Sequence, residues 1–326
     1  MGPDRFLIRA LADTQKRSVM GEWSKKLGER GEHITESLLN LIGWKAALKG
    51  HEFDCVKPVP HSTTGNPRKT HGADFVFSCL SPLEDGVLKH LVISSKFTSG
   101  QYPTSPGPLF KDHFTDLATT VECFNRSPLK KSINSGYTGA SAQSLAGILC
   151  WFSAASDAEE DVVSQVAGSR NLDSSNYGTI YVIDNYRASF LFDTITYARN
   201  RFGAENVRFL YPSTGKNVSP IERVTNGTIL PPEYLNSGLI PFFIQEHERK
   251  SLLICCQDPF SLEAVKRMIG FSMEIAMEFP HKVALAFPDY NYVDHEEIAD
   301  IARLSIANKE FASIVEFESY QADFRG

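Results

Sequence analysis

The stretch HGADFVFSCLSPLEDGVLKHLVISSKF, residues His71–Phe97, contains two short β-rich runs, ADFVFSCL and HLVISSKF. The segment SPLEDGVLK separates them, which is the pattern of a hairpin with a long turn. Side chains alternate between faces along a strand. Phe75 and Phe77 therefore share one face and leave Asp74 with Val76 on the other. In the second run Leu91, Ile93, Ser95 and Phe97 point one way, and Val92, Ser94 and Lys96 the other. An acid near the start of one strand and a lysine near the end of its antiparallel neighbour then lie side by side.

Upstream, Leu27, Ile34, Leu38, Leu41 and Ile42 fall on one arc at helical spacing, which predicts an amphipathic helix from Ser24, as N-cap, to Ile42, with Gly43 as its stop. Residues 1–19 have no strand or helix pattern and read as an extension ahead of Met20. KPVPHSTTGNPRKTHG, Lys57 to Gly72, is a loop by its turn residues and reads as a flexible basic arm. Downstream, Leu109 to Phe124 returns to helical periodicity. A polar loop follows, then LAGILCWFSA as a buried strand, DAEEDVVSQVAG as a helix and GTIYVIDN as a strand. The order α-β-β-β-α-β-α-β predicts an α/β fold. Beyond Arg201, five further strands and the helices SLEAVKRMIGFSMEIAMEF and HEEIADIARLSIA predict a second α/β domain. The expected division is an extension over 1–19, one domain over 20–200 and another over 201–326.

A carboxylate beside an ammonium, next to a helix that carries Glu32, is the inventory needed to hold Mg²⁺ and to orient a water against a phosphodiester. The order of helix glutamate, strand aspartate and strand lysine resembles the PD-(D/E)xK nuclease superfamily, whose restriction-endonuclease-like core is αβββαβ. Gly28, Gly31, Glu32, Leu39 and Gly43 are similar to that family's recurring Gly-x-x-Gly-Glu opening. The resemblance implies Asp74, Lys96, Glu32 and Ser94 as the catalytic positions. It also implies Mg²⁺ or Mn²⁺ held by Asp74, Glu32 and the Ser95 carbonyl. Ser94 departs from the pattern, because the family has a second acid there and a hydroxyl is the poorer Mg²⁺ ligand. Glu32, Glu36, Glu122 or Asp54 replaces that acid, or the site is slow, or it binds without cutting. MGEWSKKLGERGEHITESLLNLIGW, HGADFVFSCLSPLEDG and LVISSKFTSGQYPTSP resemble the first subunit of a two-protein anti-phage defence nuclease carried beside prophage satellites. That implies DNA as substrate and a second nuclease-like subunit in a hetero-oligomer. The alternative is an inactive nuclease fold that binds DNA or scaffolds an active partner.

The chain of 326 residues has a net charge of −6, unevenly spread. Residues 1–135 hold 18 Lys and Arg against 14 Asp and Glu, and the remainder hold 15 against 25. Only the first half is suited to a polyanion, and the acidic half reads as partner-binding or regulatory. Arg68, Lys69, Lys130 and Lys131, in loops flanking the expected site, are the candidates for sequence-indifferent phosphate contacts. Tyr102 is a candidate for stacking on a base. No run of apolar residues is long enough to span a membrane, and the N-terminal residues lack a signal-peptide core, so a cytoplasmic protein is expected. The six cysteines form no CxxC pair and read as small core residues. His51, His61, His71, Cys55 and Cys79 supply zinc-type ligands, but at spacings that match no common finger or ribbon.

Overall fold

The structure, a computed structural model, describes residues 25–62, 65–168, 178–217, 223–276 and 280–321. The extension over 1–19, the Ser24 cap and the Phe279 end of the later helix lie outside these residues. The chain is a mixed α/β protein with two mixed sheets. The first sheet is built from β1 (Leu48–Asp54), β2 (Thr70–Leu80), β3 (Val87–Thr98), β4 (Ala142–Ser153) and β5 (Thr179–Ile183), in that order. β1, β2 and β3 are antiparallel neighbours, whereas β4 and β5 run parallel to β3. The helices are α1 (25–41), α2 (Gly107–Phe124), α3 (Pro128–Ser135), α4 (Val162–Val166) and α5 (Asn185–Phe202). The second sheet follows the order β11-β10-β9-β8-β6-β7. Its strands are β6 (Val207–Leu210), β7 (Asn226–Gly227), β8 (Leu239–Glu246), β9 (Arg249–Cys256), β10 (Lys282–Phe287) and β11 (Val315–Ser319). The helices α6 (Leu262–Ala276), α7 (Tyr292–Ser305) and α8 (Lys309–Ser313) link the parallel strands β9, β10 and β11.

The central strands are near-continuous apolar runs, which gives each sheet two apolar faces packed against helices or the other sheet. One core unites α1 and α5 with both sheets: Leu38, Leu39 and Ile42 of α1, Phe75, Phe77 and Ile93 of the first sheet, Leu191 and Ile195 of α5, and Phe242 and Leu253 of the second sheet. A second core lies between the outer face of the first sheet and α2, and a third between the outer face of the second sheet and α6 and α7. Buried polar bonds join the halves. The Trp44 indole N–H donates to the Leu230 carbonyl at 2.9 Å, and the buried Arg187 of α5 reaches the carbonyls of Tyr234 and Leu235.

Several elements differ from expectation. The polar loop after α2 contains α3, which Ser127 caps by accepting from the Lys130 N–H. α5 occupies a stretch to which the sequence pattern assigns no element; Phe190, Leu191, Thr194, Ile195 and Ala198 form its buried stripe, capped by Asp184. The arc of α1 is rotated, with Gly31, Thr35, Leu38, Leu39 and Ile42 buried and Ile34 exposed. The reason is close packing on β3: a Cβ at position 31 would lie 2.6 Å from Phe97 Cβ. Only glycine lets the helix approach that far. Gly43 ends the helix at φ +85°, where any Cβ would collide with the Thr228 carbonyl.

Candidate active site

Asp74 and Ser94 face each other across β2 and β3. The register runs from Phe75 opposite Ile93 to Leu80 opposite Leu88, and Asp74 stands at the end where this ladder stops. There the Ser95 N–H donates to Asp74 Oδ2 at 2.6 Å, so the side chain takes the place of a backbone acceptor. The Ser94 hydroxyl stands beside the same carboxylate and favours its charged form. Ser95 turns its own hydroxyl to the opposite face, 2.9 Å from Thr35 Oγ1 of α1.

α2 brings in Asp116. Its Oδ2 accepts from Lys96 Nζ at 3.2 Å and its Oδ1 from Arg68 at 2.8 Å. Arg68 also donates from Nε to the Thr70 carbonyl at 3.0 Å, which fixes the guanidinium against β2. Two acids and two cations thus meet over the Ser94 and Lys96 face of β3. Their environments push the acids apart. Burial raises the Asp74 carboxyl above its ordinary value, despite the Ser95 N–H and Lys96, and the charge of Asp116 adds to the rise. Burial acts on Asp116 in the same direction, but Lys96 and Arg68 overcome it and hold this carboxyl below its ordinary value. His113, one helical turn away on α2, is lowered to about 4 by burial and by Lys96, so it stays neutral near pH 7.

The other expected residues are placed as follows. Glu32 lies on α1, where its carboxylate is 3.6 Å from Lys49 Nζ on β1; Glu36 shares that lysine at 3.3 Å. Glu122 pairs with Lys57 and His61, and Asp54 is exposed at the end of the edge strand β1. None of the four acids considered as substitutes for the missing one joins the Asp74 cluster; Asp116 does. The signal for it was a lone charge within FTDLATTV, beside the buried stripe Phe110, Phe114, Leu117 and Val121. Lys69 is exposed next to Arg68. Lys130 and Lys131 sit on α3, whose Asn134 bonds His90 at 2.9 Å. That is six residues before Lys96 on β3, roughly 20 Å away at strand rise. Tyr102 is buried, with its hydroxyl 2.7 Å from the Trp151 carbonyl, so it packs the fold and offers no ring to a base.

A mixed sheet between helices, with aspartate and lysine on neighbouring strands, defines a PD-(D/E)XK nuclease domain. The family described as GAPS4 protein PD-(D/E)XK nuclease domain matches residues 20–187, and the chain belongs to it. GAPS4 is a phage-satellite-associated defence protein. No curated protein matches the chain. Among the described residues, no helix is long and apolar enough to cross a membrane.

Proposed function

We propose that the chain hydrolyses phosphodiester bonds of DNA with Mg²⁺ or Mn²⁺ at Asp74, as one subunit of a hetero-oligomeric anti-phage complex in the cytoplasm. The clustering of Asp74, Ser94, Lys96, Asp116 and Arg68 at one end of β2 and β3 carries this reading. The donors fit the ion. Two carboxylates, a hydroxyl and the Ser95 carbonyl are hard oxygen ligands, and Asp74 bears a charge that its half-buried position disfavours and a cation would offset. A divalent ion held there supplies Lewis acidity and a water that ionises more readily.

The chain's own groups do the rest. The Ser95 N–H fixes the Asp74 carboxylate, and Asp116 holds Lys96 in place until substrate enters. Lys96 then exchanges Asp116 for the attacking water and a phosphoryl oxygen, offsetting charge on the pentacovalent phosphate. Glu32 is engaged by Lys49 at 3.6 Å, so Glu32→Gln is expected to slow cleavage less than Asp74→Ala. Arg68 and Lys69 take phosphates beside the site. Lys130 and Lys131, on the same face of the sheet, meet the duplex about six base pairs further along.

The partner surface in this reading lies on the acidic half. α7 exposes Val293 at 82% and Leu304 at 75%, with Ile301 between them on one helical face. The test uses the full chain purified with its natural partner and a linear duplex. Asp74→Ala and Lys96→Ala are each expected to abolish cleavage. Cleavage persisting in both overturns the proposal in favour of an inactive nuclease fold that scaffolds an active partner, a reading motivated by Ser94.

A further inference from the structure

Cys55, His61, His71 and Cys123 converge below the loop that carries Arg68, with one ligand atom of each within 4.8 Å of all the others. Cys55 follows β1, His61 lies in the loop, His71 is on β2 and Cys123 is in the last turn of α2. His61 Nδ1 lies 3.2 Å from His71 Nε2 and 3.3 Å from Cys55 Sγ. His71 Nε2 is 3.3 Å from Cys55 Sγ, and Cys123 Sγ is 3.5 Å from His61 Nδ1. A tetrahedral ion with Zn–N near 2.05 Å and Zn–S near 2.3 Å sets its ligands apart by about 3.3 Å for N to N and about 3.5 Å for N to S.

The surroundings fix the tautomers that such an ion needs. Glu122 accepts from His61 Nε2 at 3.1 Å, so in the neutral ring that nitrogen carries the proton and Nδ1 is the one that can bind an ion. Thr120 Oγ1 donates its only proton to the Asp116 carbonyl at 2.7 Å. It must therefore accept from His71 Nδ1, 3.2 Å away, which leaves His71 Nε2 bare as well. Two lone pairs then face each other at 3.2 Å in a buried place, where the weak S–H donors of Cys55 and Cys123 are their nearest partners; one cation joins all four groups at these separations. Burial holds the Cys123 thiol up at about 11, and the Val56 N–H, which donates to Sγ at 3.4 Å, offsets part of that rise. Carboxylate and hydroxyl partners on the far nitrogens are the outer shell expected around metal-bound imidazoles.

We infer that Cys55, His61, His71 and Cys123 form a structural Zn²⁺ site that fastens the Arg68 loop to α2. The ion displaces the proton of each thiol to solvent and joins two thiolates and two neutral imidazoles. All four positions are filled by protein, so the site is closed to substrate and separate from the oxygen-lined Asp74 cluster. The described residues between Lys57 and Thr70 are then tied to α2 at both ends, against the flexible arm expected, and Cys55 and Cys123 serve as ligands where core packing was expected. Cys79 and His51 stay outside the cluster.

The test is metal analysis of the full chain, purified from zinc-supplemented cells without chelator, together with the absorption and X-ray absorption spectra of the Co²⁺-substituted and zinc forms. About one zinc per chain, in a shell of two sulfurs and two nitrogens, is expected, and Asp74→Ala is expected to keep it. Glu122→Gln is expected to bind zinc about ten to one hundred times more weakly. Zinc below about a tenth of an equivalent, or an all-oxygen and nitrogen shell in the wild type, overturns the inference. Because these spectra are taken on the wild type, the outcome stands even if Cys55→Ser or Cys123→Ser does not fold.

Discussion

Asp74→Asn is expected to stabilise the protein while abolishing its activity. The Asp74 carboxyl is half-buried and raised above its ordinary value of 3.8, with burial the main cause and the Ser95 N–H, Lys96 and Ser94 opposing it. A carboxyl with a higher pKa in the folded chain costs nothing when it is protonated in both states. The cost grows as pH rises above the unfolded value and is full once pH has passed the folded value. Asparagine removes the charge and keeps an oxygen for the Ser95 N–H, now bonded at 2.6 Å. Alanine removes both, and the half-buried N–H left behind costs about 1–2 kcal/mol. In urea titrations without divalent ions, Asp74→Asn should therefore exceed Asp74→Ala by about 1–2 kcal/mol near pH 7. It should also exceed the wild type, by a margin that closes as pH falls toward 3.8. Mg²⁺ at ten times its Kd should add about 1.4 kcal/mol to the wild type and nothing to Asp74→Asn. A wild type more stable than Asp74→Asn near neutrality, or a gap unchanged by acid, refutes the reasoning.

Lys96→Met should lower turnover by about a hundredfold or more, measured as single-turnover cleavage of a labelled duplex, while Asp116 keeps Arg68 and the fold survives. Arg68→Ala should reduce the dependence of log Kd on log salt by about one, and Lys130→Ala with Lys131→Ala by about two. The double variant should leave cleavage at saturating DNA unchanged. Trp44→Phe loses the indole bond to Leu230 and trims a ring stacked 5.0 Å from Phe77. It should lower stability by about 2–4 kcal/mol, read as a lower urea midpoint at an unchanged slope.

The hairpin of β2 and β3 was legible because its period-two pattern is strong and its turn carries Asp85-Gly86 between apolar runs. α1 was legible in extent but not in facing: hydropathy favours Ile34, whereas the close approach of Gly31 and the Thr35 to Ser95 bond turn that side chain outward. α5 was obscured because it lies between two sheets and mixes the buried Arg187 and Thr194 into its inner face. Asp74 and Lys96 could be paired by strand parity alone. Asp116 could not, because its place depends on how α2 crosses the sheet. The Cys and His cluster was hidden for the same reason: Cys123 lies 52 residues beyond His71 in sequence and reaches it only through the packing of α2 on β2.

The decisive measurement is isothermal titration of Mg²⁺ and of Mn²⁺ into the wild type and Asp74→Ala, each with a short DNA duplex present. An ion-binding heat in the wild type that disappears in Asp74→Ala is the predicted result. Equal heats in the two proteins, or none in either, would contradict a metal-dependent nuclease site at Asp74.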